Sequence, residues 1–289
     1  MKTLRSMLKY RRPHGSQTEI EFIRRFIDSI PGVYADNYGN RILQCPGSKV
    51  MISCHTDTVH KITGKQTIQI KDGIVSLADS KSNCLGADNT AGIWAALRMI
   101  EAKVPATFVF HREEEIGGRG SAWLAKNYPK WIAGFDVCLA LDRRGTGDVI
   151  TSQWWSRCAS DEFAWSLAAE LDMAHAPTAG IFTDSANYAH LIPECSNISI
   201  GYQREHTTEE TLDTGYLEEV TARLCKLDWS KLAVARDPAV MDLDCWEVDY
   251  KESVTGGACE YCTEDSPDMR YLLEGIAVCA DCYTYWSRD

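Results

Sequence analysis

The sequence predicts an α/β protein: a mostly parallel central sheet with helices on both faces, followed by a small C-terminal zinc ribbon. Three observations carry that reading. Short apolar runs at 49–54, 106–110, 136–141 and 197–202 alternate with stretches of helical period, and such alternation builds a parallel sheet that must be covered on both sides. Acidic residues and histidines stand directly after those runs, where the strand ends of an open sheet converge. Two Cys-x-x-Cys pairs close the chain.

Taken in order, Ser16-Gln-Thr-Glu19 has the form of a capping box. Ile20, Ile23, Phe26, Ile27 and Ile30 then recur at helical spacing, and Pro31-Gly32 stops that helix. Residues 33–34 and 41–45 flank the turn-forming stretch Asp36-Asn-Tyr-Gly-Asn40 and predict a hairpin. Residues 68–77 alternate around Asp72-Gly73, a second hairpin signal. Helices are expected over 89–102, with Ile93, Ala96, Leu97 and Ile100 on one face, over 160–173 and over 216–235. Residues 236–254 are acidic and irregular and read as a linker or arm. The expected divisions are therefore a body over 1–235, the linker over 236–254 and the ribbon over 255–289.

Composition narrows the function classes. A chain of 289 residues, 45% of them apolar, can form one large α/β domain or two smaller ones. A net charge of −11 disfavours general nucleic-acid binding, and part of that excess is offset if some carboxylates ligate cations. The opening MKTLRSMLKYRRPHGS lacks the apolar centre of a signal peptide, and no run of about 18 apolar residues occurs, so no membrane span is expected. Eight of the 12 cysteines (Cys45, Cys54, Cys84, Cys138, Cys158, Cys195, Cys225 and Cys245) are scattered, several inside apolar runs. That usage fits a reducing cytoplasm better than a disulfide scaffold.

The residues behind the strand ends form one pattern. His55-Thr-Asp57 follows the first run, Glu113-Glu-Glu115 the second, Asp142 the third and Arg204-Glu-His206 the fourth. Asp88, in Gly86-Ala-Asp-Asn-Thr-Ala-Gly92, precedes a helix. Adjacent carboxylates repel, and burying them is costly without a positive partner. Two histidines and several carboxylates converging on one crevice make a metal site suited to zinc, with cobalt or manganese as substitutes. Two ions roughly 3.5–4 Å apart need a bridging carboxylate, and Asp88 is the best-placed bridge.

These five segments, in this order, resemble the co-catalytic zinc exopeptidases, the superfamily that includes bacterial aminopeptidases, tripeptidases, carboxypeptidases and acyl-amino-acid deacylases. The resemblance covers residues 15 to about 230. It implies the phosphorylase/hydrolase-like zinc peptidase fold and two catalytic zinc ions. On that resemblance His55 and Asp142 ligate one ion, Glu115 and His206 the other, and Asp88 bridges. Asp57 resembles the carboxylate that orients the His55 imidazole, and Glu114 the general base of catalysis; Glu113 has no assigned role. Only 90 residues lie between Glu115 and His206, and core elements take them up. The nearer resemblance is therefore to the aminopeptidase-like branch without an inserted dimerisation lid.

Three further residues are candidate substrate contacts: Asp184 in Thr183-Asp184-Ser185, His60 five residues past His55, and Arg143, which with Arg144 follows Asp142. An arginine facing the pocket would read a carboxylate or phosphate. His14, His111, His175 and His190 read as surface or packing residues.

At the C-terminus, Cys259-Glu-Tyr-Cys262 and Cys279-Ala-Asp-Cys282 stand 16 residues apart, the spacing of a four-cysteine structural zinc site. A unit this short draws much of its folding energy from the metal. Its acids outnumber its bases, which argues against nucleic acid and for oligomerisation, protein contact or a lid role. The expectation for the whole chain is a zinc-dependent, aminopeptidase-like exopeptidase acting on small peptides. One alternative is a deacylase or amidohydrolase on a non-peptide N-acyl substrate, motivated by Arg143, Arg144 and Arg204. The other is an inactive adaptor that acts through the ribbon.

Overall fold

Alternation along the buried strands decides which side of the sheet each side chain faces. In Val50–His55 every residue is buried, yet Val50, Ile52 and Cys54 join one core and Met51 the other. The same period of two parts Phe108 and Phe110 from Val109, and Val137, Leu139 and Leu141 from Cys138. A sheet apolar on both faces needs cover on both. The helices Lys2–Met7, Gln17–Phe26, Ala87–Glu101, Asp161–Leu171 and Thr214–Leu224 close the larger core. The helices Arg119–Asn127 and Pro129–Ile132 and the 3-10 turn Asp184–Tyr188 close the other. Burying one phenylalanine such as Phe108 or Phe110 contributes about 1.5–3 kcal/mol.

The computed structural model describes residues 2–154 and 156–240 and, in the backbone alone, the strands Thr255–Ala258, Asp265–Leu272 and Ile276–Cys279. The chain divides into two compact units, Met1–Met241 and Asp242–Asp289. The main sheet of the first has nine strands. Its centre is parallel, with Glu194–Ser199, Val137–Arg143, Val50–His55 and Thr107–His111 side by side in that order. Antiparallel strands extend both edges: Arg41–Leu43 and Tyr34–Ala35 on one side, Asp148–Gln153 and Ser156–Arg157 on the other. His175–Gly180 pairs in parallel with Asp148–Gln153. His55 stands opposite His111 in register, so those two strands end level and their following loops start together. No helix among the described residues is long and apolar enough to cross a membrane.

The expected α/β layering and both hairpins are present, and several bounds differ. The first expected helix is Gln17–Phe26, preceded by the short helix Lys2–Met7; Ser16 caps it, but Glu19 reaches back to the Gly15 N–H (2.7 Å) as well as to Thr56 and Arg112. The fourth buried strand is Glu194–Ser199, three residues earlier than the apolar run. Glu194 is polar in sequence but wholly buried, its carboxylate accepting from the N–H groups of Ser160, Ala235 and Arg236. The last long helix stops at Leu224, and Asp228 caps a short 3-10 turn, Trp229–Lys231.

Helix Ala87–Glu101 sits hard against Val137–Arg143 because position 92 has no side chain. A Cβ on Gly92 would overlap Asn89 Oδ1 and the Leu141 carbonyl oxygen. Gly92→Ala is therefore expected to destabilise the body by about 1–3 kcal/mol through overpacking. A lower urea midpoint at unchanged slope would show this; an unmoved midpoint would mean the helix has room to shift.

In the second unit the three described strands form an antiparallel sheet in chain order. Cys259, Cys262 and Cys282 of the expected ribbon lie outside the described residues, as do residues 241–254 of the expected linker. Cys279 is described only as the last residue of its strand.

Candidate metal centre

The parallel strands deliver a histidine and a carboxylate from their C-terminal ends, and two loops complete the set. His55 Nε2 lies 2.9 Å from Asp88 Oδ1 and 3.4 Å from Asp142 Oδ1. His206 Nε2 lies 3.3 Å from Asp88 Oδ2 and 3.1 Å from Glu115 Oε2. Two groups result, His55–Asp88–Asp142 and Asp88–Glu115–His206, each with ligand atoms within 4.8 Å of one another. Asp88 belongs to both and turns one oxygen to each histidine.

The local chain explains how three adjacent glutamates are sent apart. Glu113 takes a left-handed φ of 63°, and its Oε2 accepts the Tyr38 hydroxyl at 2.6 Å. The Asp57 carboxylate accepts the backbone N–H groups of Glu114 and Glu115, each at 3.2 Å. Its Oδ1 also lies 3.5 Å from His55 Nδ1. Asp57 thus holds both, the imidazole through its backbone carbonyl, 3.2 Å from His55 Nδ1, and the backbone of the triplet through its carboxylate. Glu114 Oε2 stands 3.9 Å from His55 Nε2, while Glu115 faces His206. Asp142 is pinned by three neighbours. Asn197 accepts its N–H at 2.9 Å and donates to its carbonyl at 3.0 Å. The Tyr202 hydroxyl donates to the same carbonyl at 2.9 Å, and the Thr183 hydroxyl donates to Oδ2 at 2.7 Å.

Charge balance shows what the cluster lacks. Burial, with Asp88 adding to it, pushes Glu115 up to about 7 and Asp142 up to about 6. Burial drives Glu114 well above the usual carboxylate range, against the pull of His55 and with the help of Asp142 and Glu115. Burial opposes charge on His206 as well, but Asp88 and Glu115 outweigh it and push the imidazole up to about 11. Two imidazoles are thus too few for Asp88, Glu114, Glu115 and Asp142 together. Glu115 Oε1 is buried with no hydrogen-bond partner among the described residues. An orphaned carboxylate oxygen among imidazole nitrogens and further carboxylates fits a divalent cation, and this donor set suits zinc, cobalt or manganese.

Asp88, Glu114, Glu115, Asp142 and His206 line one cleft, together with Arg143, Arg144, Phe182 and Tyr202. Two residues expected to face substrate do not line it. His60 is buried, its Nδ1 2.7 Å from the Thr58 hydroxyl and its Nε2 3.0 Å from Gln66 Oε1, so both ring nitrogens are committed. Asp184 is 1% exposed, with one oxygen on the Ser121 hydroxyl and the other buried without a partner among the described residues. Tyr38, Asn197 and Tyr202 support the cluster through Glu113 and Asp142 and were not legible in the sequence. Each acts across a long chain separation, and none carries a metal-ligand spacing.

The fold and geometry define a class: a doubly covered, largely parallel sheet with two ligand groups sharing one carboxylate at its strand ends. No protein-family model and no curated protein matches the chain. Solved structures do. The aminopeptidase PepT from Bacillus cereus matches at 14% identity and a TM-score of 0.64, over 78% of this chain and 95% of that one. A tripeptidase from Staphylococcus aureus matches at 15% identity and 0.63, over 78% and 95%. The Pyrococcus horikoshii TET1 peptidase, which can assemble into a tetrahedron or a large octahedral shell, matches at 15% and 0.57, over 77% and 97%. At such identities the likeness is one of fold.

Proposed function

We propose that this chain is a co-catalytic metal-dependent hydrolase that cleaves an amide bond, acting as an aminopeptidase-like exopeptidase on small peptides. The observation that carries the reading is Asp88, shared between two ligand groups, with Glu114 beside them in the same cleft. The peptidases that share the fold support it. His55, Asp88 and Asp142 would hold one divalent ion, and Asp88, Glu115 and His206 a second. Such a pair, when bound, supplies Lewis-acid polarisation of a carbonyl and lowers the pKa of water. Glu114 takes a proton from the attacking water and returns it to the leaving amine. Asp57 fixes the His55 ring and the Glu114 backbone, and Thr183 steadies Asp142. The C-terminal cysteines would hold a third, structural zinc, and their unit would serve protein contact.

A second reading rests on Arg143 and Arg144, which line the cleft. Arg143 bonds Asp148 through Nε and Arg144 bonds Glu205 through Nη1, each at 3.0 Å. The two terminal nitrogens of Arg143 have no hydrogen-bond partner among the described residues. Those donors suit a carboxylate, as on an N-acyl amino acid. A panel of aminoacyl and N-acyl substrates decides between the readings. Cleavage confined to substrates with a free α-amine is the expected result; turnover confined to N-acyl compounds would make the enzyme a deacylase.

A further inference from the structure

Glu210 is 1% exposed and lies four residues past His206. Its Oε2 accepts the backbone N–H groups of Leu85 (2.8 Å) and Gly86 (2.9 Å). Its Oε1 accepts those of Ala87 (2.7 Å) and Asp88 (3.1 Å). Four consecutive amides therefore converge on one carboxylate, two to each oxygen. They belong to the segment that presents Asp88, whereas Glu210 belongs to the loop that presents His206.

Neither segment is held by regular structure. At the start of helix Ala87–Glu101 the N-cap Gly86 has a left-handed φ of 69° and no side-chain cap. Asp88 (φ −73°, ψ 109°) and Asn89 (φ −109°, ψ 41°) are not helical either. In the other loop Arg204 and His206 have φ values of 53° and 66°, in a region that side chains other than glycine rarely adopt. Helix-start amides left without partners are costly when buried. Here the partner is a side chain from more than a hundred residues away. A glutamine could not replace it, because its NH2 would face two N–H donors.

We propose that Glu210 is a positioning residue for the metal cluster, tying the Asp88 segment to the His206 loop so that these two of the second ion's three ligands stay in register. This rests on the metal reading given under the proposed function. Outer partners that orient metal ligands are worth on the order of 10–100-fold in metal affinity.

The test uses the full-length protein stripped of metal, as wild type, Glu210→Gln and Glu209→Gln. Glu209 is the neighbouring control, exposed and paired with Arg204 at 2.7 Å. Each is titrated with cobalt(II) and followed by the d–d bands of oxygen- and nitrogen-ligated cobalt, which are distinct from thiolate charge-transfer bands. Amide hydrogen exchange at residues 85–88 is measured on the same samples. Glu210→Gln is expected to lose protection there and to bind cobalt on the order of 10–100-fold more weakly, with Glu209→Gln behaving as wild type. Lost protection with wild-type cobalt affinity would overturn the proposal and leave Glu210 a purely structural cap. Where Glu210→Gln does not fold, Glu210→Asp keeps the charge but shortens the reach; wild-type affinity in that variant also overturns the proposal. A wild type that takes up no cobalt in these bands overturns the metal reading itself, a different result from a cobalt-binding wild type with unaffected variants.

Discussion

Glu114→Gln is expected to reduce turnover by on the order of 10²–10⁴-fold, the usual worth of a general acid–base group, while metal content stays at the wild-type level. Glutamine keeps the shape and the backbone N–H that Asp57 accepts, so the turn that places Glu115 survives. Glu114 belongs to neither ligand group, so its loss removes no metal donor. What disappears is the capacity to take and return a proton. The measurement is kcat and KM on the best peptide substrate, with elemental analysis of the same sample. A fall in kcat at nearly constant KM marks a group that acts on the reacting atoms. Wild-type turnover would remove Glu114 from the mechanism, and loss of an ion along with activity would make it a ligand.

Asp88→Asn is expected to empty both catalytic positions, whereas Asp142→Asn and Glu115→Gln each weaken one. The asymmetry follows from geometry. Asp88 Oδ1 faces His55 and Oδ2 faces His206, while Asp142 and Glu115 each belong to a single group. Asp88 is also the carboxylate that both imidazoles, working against burial, hold well below the usual carboxylate range. Replacing it with a neutral amide removes the one negative charge that both positions share. Elemental analysis of chelator-free protein reads the result: about two fewer ions per chain than wild type for Asp88→Asn, and about one fewer for each of the others, as a shared bridge requires. Loss of a single ion in Asp88→Asn would show that the two groups do not share a ligand.

Much of the framework was legible in residue order. Apolar runs marked the strands Val50–His55, Thr107–His111 and Val137–Arg143 within a residue or two, because a strand buried on both faces must be apolar throughout. The residues the structure gathers at the cluster were legible for a related reason. Parallel strands share one C-terminal edge, so residues just after each apolar run are bound to meet. Period failed where burial and polarity part company. Glu194 opens a central strand because its carboxylate is satisfied by N–H groups from two other segments, and Asp148–Gln153 enters the sheet despite its polar residues.

Residue types and their place behind each strand thus determined which groups the fold can bring together. Tertiary structure settled how the parts are held and which candidates face the cleft. His60 and Asp184 were both expected to face substrate, yet packing turns both inward. Tyr38 reaches Glu113, Thr183 reaches Asp142, and Glu210 reaches the amides of 85–88, each across dozens of residues or more. A local pattern records periodicity and turn chemistry, which act over a few residues. Which distant groups become neighbours depends on the order of strands in the sheet, and that order is set by burial of the whole body at once.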